Sequence, residues 1–382
     1  MHTIRTIISV LLVIALVSLT SCLAGDRTSV NTKTSQVSQM SQTKNRRLQS
    51  VPILEKTADV IEQNYVFPEK GRQIAERLRA KTKANGYNQK DANDLAQAVT
   101  ADLKQWSDQD QHLWLDYKQG EWSKRKAKDP AEMLTQLRQR MLLFSDGIVD
   151  VRRLPGNLGY LRIDSLLPSA TFTQRLRAAV RLLQNTYGLI LDLRACGGGE
   201  PAVTAEAVSF FLSRGKVPVS TVRVRWDGAI PRRIESIVRG MEKTYSTDFG
   251  KDSYGESRLI HLLTSSDTFS GCEELAYDLE AFKRVRLFGQ TTKGGAHAGW
   301  FERLDDDFAV YVAWGEVINP MTKTNWERKG IAPDEVTEVG STFPSAYRAL
   351  LKATKDARKE PDLISEADAA EQNPPVIDVR GQ

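Results

Sequence analysis

Three observations in the sequence predict an α/β core behind a helical front end. Two continuous apolar runs, Gly188–Arg194 and Leu259–Leu263, read as strands buried on both faces. Each leads through a turn-rich stretch into a helical pattern, Val203–Leu212 after the first and Ser270–Phe282 after the second. Between Leu54 and Leu103, by contrast, apolar residues recur only at helical spacing.

The 382 residues suffice for one large or two ordinary domains. Contents of 41% hydrophobic and 26% charged residues describe a soluble globular protein. A net charge of +5 spread along this length gives no basic stripe interleaved with aromatics, so a nucleic-acid partner is not expected. Arg5 precedes the apolar run Ile7–Leu19, which is short for a membrane span and right for a signal-peptide core. The run ends Leu19-Thr20-Ser21-Cys22, similar to the bacterial lipoprotein processing box, in which the cysteine becomes the lipidated first residue. A simple secretory signal or a membrane anchor is the alternative. Leu23 is not the aspartate associated with inner-membrane retention, so an outer membrane is the expected destination. Residues 22–50, rich in Ser, Thr, Gln, Asn and Lys, are expected to form a flexible tether.

A helical subdomain is expected over residues 51–117. Leu54, Ala58, Ile61 and Tyr65 mark a first helix that Phe67-Pro68 ends. Ile74 and Leu78 mark a second, stopped by Asn85-Gly86, and Leu95, Val99 and Leu103 a third. The loop Ser107-Asp108-Gln109-Asp110-Gln111-His112 then delivers a histidine to the extended run Leu113-Trp114-Leu115. Residues 118–145 read as a connecting segment with a short helix around Met133–Leu143. The core is expected over 146–345, opening with a hairpin of Ile148–Leu154 and Leu158–Ile163 across Pro155-Gly156-Asn157. A helix over Ala170–Leu183 follows. Lys216–Glu256 is a charged insertion whose Arg223, Arg225, Arg232 and Arg233, near Trp226, are candidates for a substrate carboxylate or for plain surface. Residues 346–382 read as one helix, Ala346–Ala357, and a loose acidic tail.

Within the core, the stretch Thr264–His297 carries the most chemistry. Ser270 ends a strand and opens a helix, where free amides and the helix dipole favour developing negative charge. With Glu273 it also fits the S-x-x-E capping box of ordinary helices, so cap and nucleophile both remain open. The strand Gly188–Arg194 runs into Ala195-Cys196-Gly197-Gly198-Gly199, where bare glycines let backbone amides face a ligand. Neither phosphate-loop signature, G-x-x-x-x-G-K-[ST] or G-x-G-x-x-G, is present, and no Cys/His pairs stand at zinc spacing. No cofactor or metal is expected. His261, inside an apolar strand, reads as a core histidine.

Four motifs in one order, D-L-R-A-C-G-G-G, T-F-S-G-C-E-E-L-A-Y-D-L, F-G-Q-T-T-K-G-G-A-H and N-W-E-R-K-G-I-A-P-D, resemble the tail-specific protease family of serine peptidases. The similarity is greatest to the branch of the tricorn core and the interphotoreceptor retinoid-binding protein, and runs from about Ile53 to Val339. It implies the crotonase-like ββα fold shared by the Clp protease, preceded by a helical subdomain. No segment between His112 and Leu158 has the features of a PDZ module.

In relatives with a Ser-Lys dyad the lysine would fall on Gly295, so that machinery is absent unless Lys293, two residues earlier, substitutes. The tricorn-like arrangement implies Ser270 as nucleophile, His112 as base and Glu327 as acid, with Ser107 an auxiliary polar group. The oxyanion would be bound by amides of Gly198 or Gly199 and of Gly271. His297 is the competing base, and a Cys196–Cys272 disulfide is open to an oxidising envelope. The implied function is a lipid-anchored envelope peptidase acting on peptides or proteins. The alternative is an inactive binding protein for a hydrophobic ligand or peptide.

Overall fold

The computed structural model describes residues 35–377, apart from 90, 125–138, 140, 170, 213–214 and 226–243. The expected signal segment and Cys22 lie outside the described residues, as do most of the Met133–Leu143 helix and the Trp226–Arg233 part of the insertion. Three helices open the fold: α1 Ser35–Asn64, α2 Pro68–Lys83 and α3 Ala92–Trp106. Leu54, Ala58 and Ile61 bury one stripe of α1, as their spacing predicts. Pro68 sits in the first turn of α2, where its missing N–H leaves no bond unmade. Asp91 caps α3 by accepting the Asp94 N–H at 2.8 Å. The start of α1 corrects the expected tether, because residues 35–50 are helical. That stretch contains neither glycine nor proline, and the helix runs from it into the docked part across Pro52, which has no N–H to donate.

The main sheet uses β2 Ile148–Leu154, β3 Leu158–Ile163, β4 Gly188–Asp192, β6 Leu259–Thr264, β7 Arg286–Gly289 and β10 Glu335–Val336, in the order β10-β7-β6-β4-β3-β2. All neighbouring pairs are parallel except the predicted β2–β3 hairpin at the edge. Side chains alternate between the faces. Leu161, Leu189, Leu191 and Leu262 meet α4 Phe172–Leu182, α5 Pro201–Leu212 and α6 Gly271–Ala281 on one face. Tyr160, Ile190, Leu263 and Phe288 meet α7 Thr342–Ala353 and α8 Pro361–Gln372 on the other. Helix α8 stands where a loose tail was expected. Pro361 starts it, and Ala367 and Ala370 are buried in the same core as α7, which repays the ordering of an otherwise polar segment.

A second sheet was not foreseen. Its spine is the long β9 Phe308–Ile318, flanked on one edge by β8 His297–Arg303. The other edge is shared by β1 Trp114–Tyr117 and β5 Thr221–Val224. The helical subdomain packs on this sheet, with Leu54, Ile61, Ile74, Leu78 and Leu103 against Leu115, Val310 and Val312. Backbone ties reinforce the docking: the Val66 N–H donates to Ala313 O at 2.7 Å and Arg225 Nη1 to Glu62 O at 2.8 Å. Arg225 therefore clamps the front end, and Arg223 pairs with Glu316 at the surface. Because β1 follows His112 directly and is zipped to β9, the subdomain carries that histidine to the main sheet's cleft.

Candidate active site

Ser270 is held at the end of a loop that leaves β6. Ser265 Oγ donates to Arg194 O at 2.6 Å, Thr268 Oγ1 to Leu193 O at 2.9 Å, and the Phe269 N–H to Cys196 O at 3.1 Å, so the loop is laced to the end of β4. Ser270 itself has φ 53° and ψ −123°, a conformation that strains a residue with a side chain by about 1–3 kcal/mol. Its N–H donates to Glu273 Oε2 at 2.8 Å, which is the capping-box half contributed by Glu273. That carboxylate also accepts from Thr292 Oγ1 and from the N–H groups of Gly294 and Gly295 at 2.5–2.9 Å. One buried glutamate thus fixes both the serine's backbone and the glycine turn opposite it. Cap and exposed hydroxyl coexist in one residue.

His112 reaches this hydroxyl from the other side. Positive φ at Asp108 and Gln109 turns the chain sharply after α3, and Asp110 Oδ1 accepts the His112 N–H at 2.7 Å. The ring stacks on Phe269 with centroids 4.7 Å apart, and Nε2 stands 3.2 Å from Ser270 Oγ. Only 2% of His112 is exposed. Burial pushes its imidazole down to about 3 against the opposing pull of Asp110, so the ring is neutral and its Nε2 can accept the serine proton. The glycine at 295 makes room for it. A Cβ there would lie 2.2 Å from Phe269 Cε2 and 2.7 Å from His112 Cε1. The position where a dyad lysine would be rooted is thus walled by the imidazole.

Behind His112 lies a buried carboxylate–histidine cluster. Asp110 Oδ2 accepts from Tyr65 Oη and His297 Nδ1, each at 2.8 Å. Glu327 Oε2 accepts the Ala296 N–H at 2.6 Å and stands 3.8 Å from His297 Nδ1. Glu327 shares a cluster with Asp110 and His112 in which one ligand atom of each lies within 4.8 Å of the others, but it makes no direct hydrogen bond to His112. The environments separate the two acids. Burial would raise Asp110, but the His297 hydrogen bond and charge hold it below the ordinary range. Burial raises Glu327 to about 7 despite the nearby His297. His297, which burial alone would lower, is raised by its bond to Asp110. His297 is therefore a partner of Asp110 and not of Ser270. Asp110 went unassigned in the sequence, although an acid two residues before a candidate base was the available signal.

The amides of the glycine loop divide their work. Gly198, at φ 121°, donates its N–H to Cys272 Sγ at 3.1 Å, while its carbonyl accepts from Leu166 N at 2.9 Å. In a trans peptide unit C=O and N–H point oppositely, so the Gly199 N–H faces away from Leu166. The Gly199 N lies 2.9 Å from where a Gly271 Cβ would be. Among the described residues no acceptor takes the Gly199 or Gly271 N–H. Of the three glycines expected at an oxyanion site, Gly198 is thus committed elsewhere and Gly199 and Gly271 remain available. Cys196 and Cys272 form a disulfide.

The remaining candidates make contacts of their own. Ser107 caps the end of α3 and donates to Lys104 O at 3.3 Å. Lys293 Nζ lies over the Phe269 ring, 4.5 Å from its centroid, with burial lowering its pKa. His261 Nδ1 bonds Ala346 O at 2.9 Å in the core.

A strained serine at a helix start, touching a neutral buried imidazole on an α/β core, has the layout of the serine-type hydrolases. Residues 157–337 match the model of peptidase family S41, and residues 43–143 match the N-terminal domain of peptidase S41 in eukaryotic IRBP. The chain belongs to peptidase family S41, the family of the tail-specific proteases. It is 26% identical over 211 residues to carboxyl-terminal-processing peptidase 2, chloroplastic, of Arabidopsis thaliana, covering 53% of this chain and 37% of that one. The match therefore spans well under half of that relative's length. A solved structure from Parabacteroides merdae, proposed to be a peptidase, shares the fold at 16% identity and a TM-score of 0.52, covering 81% of this chain and 98% of the other.

Proposed function

We propose that this chain is a serine peptidase that cleaves peptide bonds through an acyl-enzyme on Ser270. His112 Nε2 takes the Oγ proton as the oxygen attacks the peptide carbonyl, then passes it to the departing amine. Water, deprotonated by the same nitrogen, releases the acyl group. The tetrahedral oxygen is met by the N–H groups of Gly199 and Gly271, and the Asp110–Glu327 side of the cluster stabilises the imidazolium. The 3.2 Å approach of His112 Nε2 to Ser270 Oγ carries this reading. A fluorophosphonate probe tests it: labelling of the folded wild type that disappears in Ser270→Ala is expected. A folded wild type that takes no label would favour the binding-protein alternative.

The expected pH profile follows from Glu327 and His112 within this cluster. Glu327 carries charge above about 7 and loses it below, whereas His112 stays neutral until about 3. The acid limb of kcat/KM is therefore expected near 7, from the coupled Glu327 cluster, and Glu327→Gln should flatten it while lowering the plateau. A limb unchanged in Glu327→Gln would refute this assignment.

We also propose that the chain is a lipoprotein of the bacterial envelope, held through Cys22 with its peptidase core facing the periplasm. The Leu19–Cys22 sequence and the preceding apolar run support this. Incorporation of labelled fatty acid that persists in Cys22→Ser would count against it.

A further inference from the structure

We propose that the Cys196–Cys272 disulfide is a positioning element of the oxyanion hole, and that its reduction lowers turnover without unfolding the protein. This rests on the peptidase reading above. The two amides left free for the oxyanion come from separate elements, Gly199 from the loop after β4 and Gly271 from the first turn of α6. The disulfide joins those elements beside both amides: Cys196 is three residues before Gly199, and Cys272 directly follows Gly271. Its two Cα atoms are 5.9 Å apart, and the residues it links are 76 apart in sequence.

Two hydrogen bonds make the covalent tie directional. The Phe269 N–H donates to Cys196 O, and the Gly198 N–H donates to Cys272 Sγ, both at 3.1 Å. The second bond turns the Gly198 amide away from the cleft. Together with the Leu166 N–H on Gly198 O, it sets the plane from which the Gly199 N–H emerges. Three consecutive glycines have no side chains to lock this orientation, so a fixed sulfur does so. Both cysteines are fully buried. A dithiol supplies two electrons and two protons: the S–S bond breaks, two thiols form, and the reductant closes to its own disulfide. The sulfurs then retreat to non-bonded contact, the Gly198 anchor shifts with Cys272, and the two free amides lose their common focus. Misplacement of reacting groups by 1 Å lowers rates by about 10²-fold.

The test compares oxidised wild type, wild type reduced by refolding under dithiothreitol because the native bridge is buried from a reductant, and a Cys196→Ser/Cys272→Ser double variant. Measured quantities are kcat, KM, the rate of fluorophosphonate labelling and Tm. The expected result is a fall in kcat and labelling rate of about 10–10²-fold with KM nearly unchanged, at temperatures where all forms remain folded. Reoxidation should restore the reduced wild type and leave the double variant slow. If the double variant does not fold, the reduced wild type supplies the same readout. A lower Tm with kcat intact would mean the bridge is structural only, and would overturn the proposal. Failure of oxidised wild type to label at all would instead remove the peptidase reading on which it rests.

Discussion

Ser270→Ala and His112→Ala are each expected to lower kcat by about 10⁵–10⁶, and the double variant by no more than either alone. The groups act as a unit, since a serine hydroxyl at neutral pH attacks only as its proton leaves, and here one nitrogen stands within reach to take it. The residual rate of either variant would come from substrate binding and the two free amides, which do not depend on the dyad. His297→Ala is expected to cause a smaller loss, because His297 bonds Asp110 and neighbours Glu327 and does not bond Ser270. Single-turnover and steady-state rates on a peptide substrate would check all four proteins. A His112→Ala enzyme within tenfold of wild type, or losses in His297→Ala equal to those in Ser270→Ala, would show that the wrong imidazole has been assigned.

What made the fold readable were the elements whose chemistry is local. Gly188–Asp192 is apolar at nearly every position because both its faces are covered, and Pro155-Gly156-Asn157 can only be a turn. Ser270 and the glycine loop could likewise be picked out, since strand end, helix start and bare backbone are adjacent in the chain. The second sheet was harder. Strand β8 is half-buried at most positions and has no clean alternation, and β9 gains its length from β1 and β5, both far away in sequence, as well as from β8 just before it. The approach of His112 to Ser270, 158 residues apart, depends on that sheet, so only the resemblance to a family could suggest it. The division of labour among the glycines was invisible for the same reason. Which amide is free is decided by Leu166 and Cys272, neither of which neighbours Gly198 in sequence.

Gly271→Ala is expected to lower kcat by about 10²–10³-fold, with an overpacking cost to stability of about 1–3 kcal/mol that leaves the enzyme folded at the assay temperature. The added Cβ would stand 2.9 Å from Gly199 N and 3.0 Å from both Gly199 O and Thr204 Oγ1, tighter than ordinary contact on the side where the two free amides converge. Either the loop retreats or the methyl stays between the donors, and in both cases the oxyanion loses a partner. The backbone raises no separate objection. Gly271 is the first residue of α6 and lacks a positive φ, so alanine suits the helix at least as well as glycine does. The loss of turnover, measured on folded protein, should therefore exceed what the local overpacking alone would produce. Gly340→Ala is the matched control, since a Cβ there meets nothing within 4 Å. A Gly271→Ala enzyme with wild-type kcat would mean that the amides of Gly199 and Gly271 are not where the negative charge develops, and the Ser270 chemistry would need a different electrostatic partner.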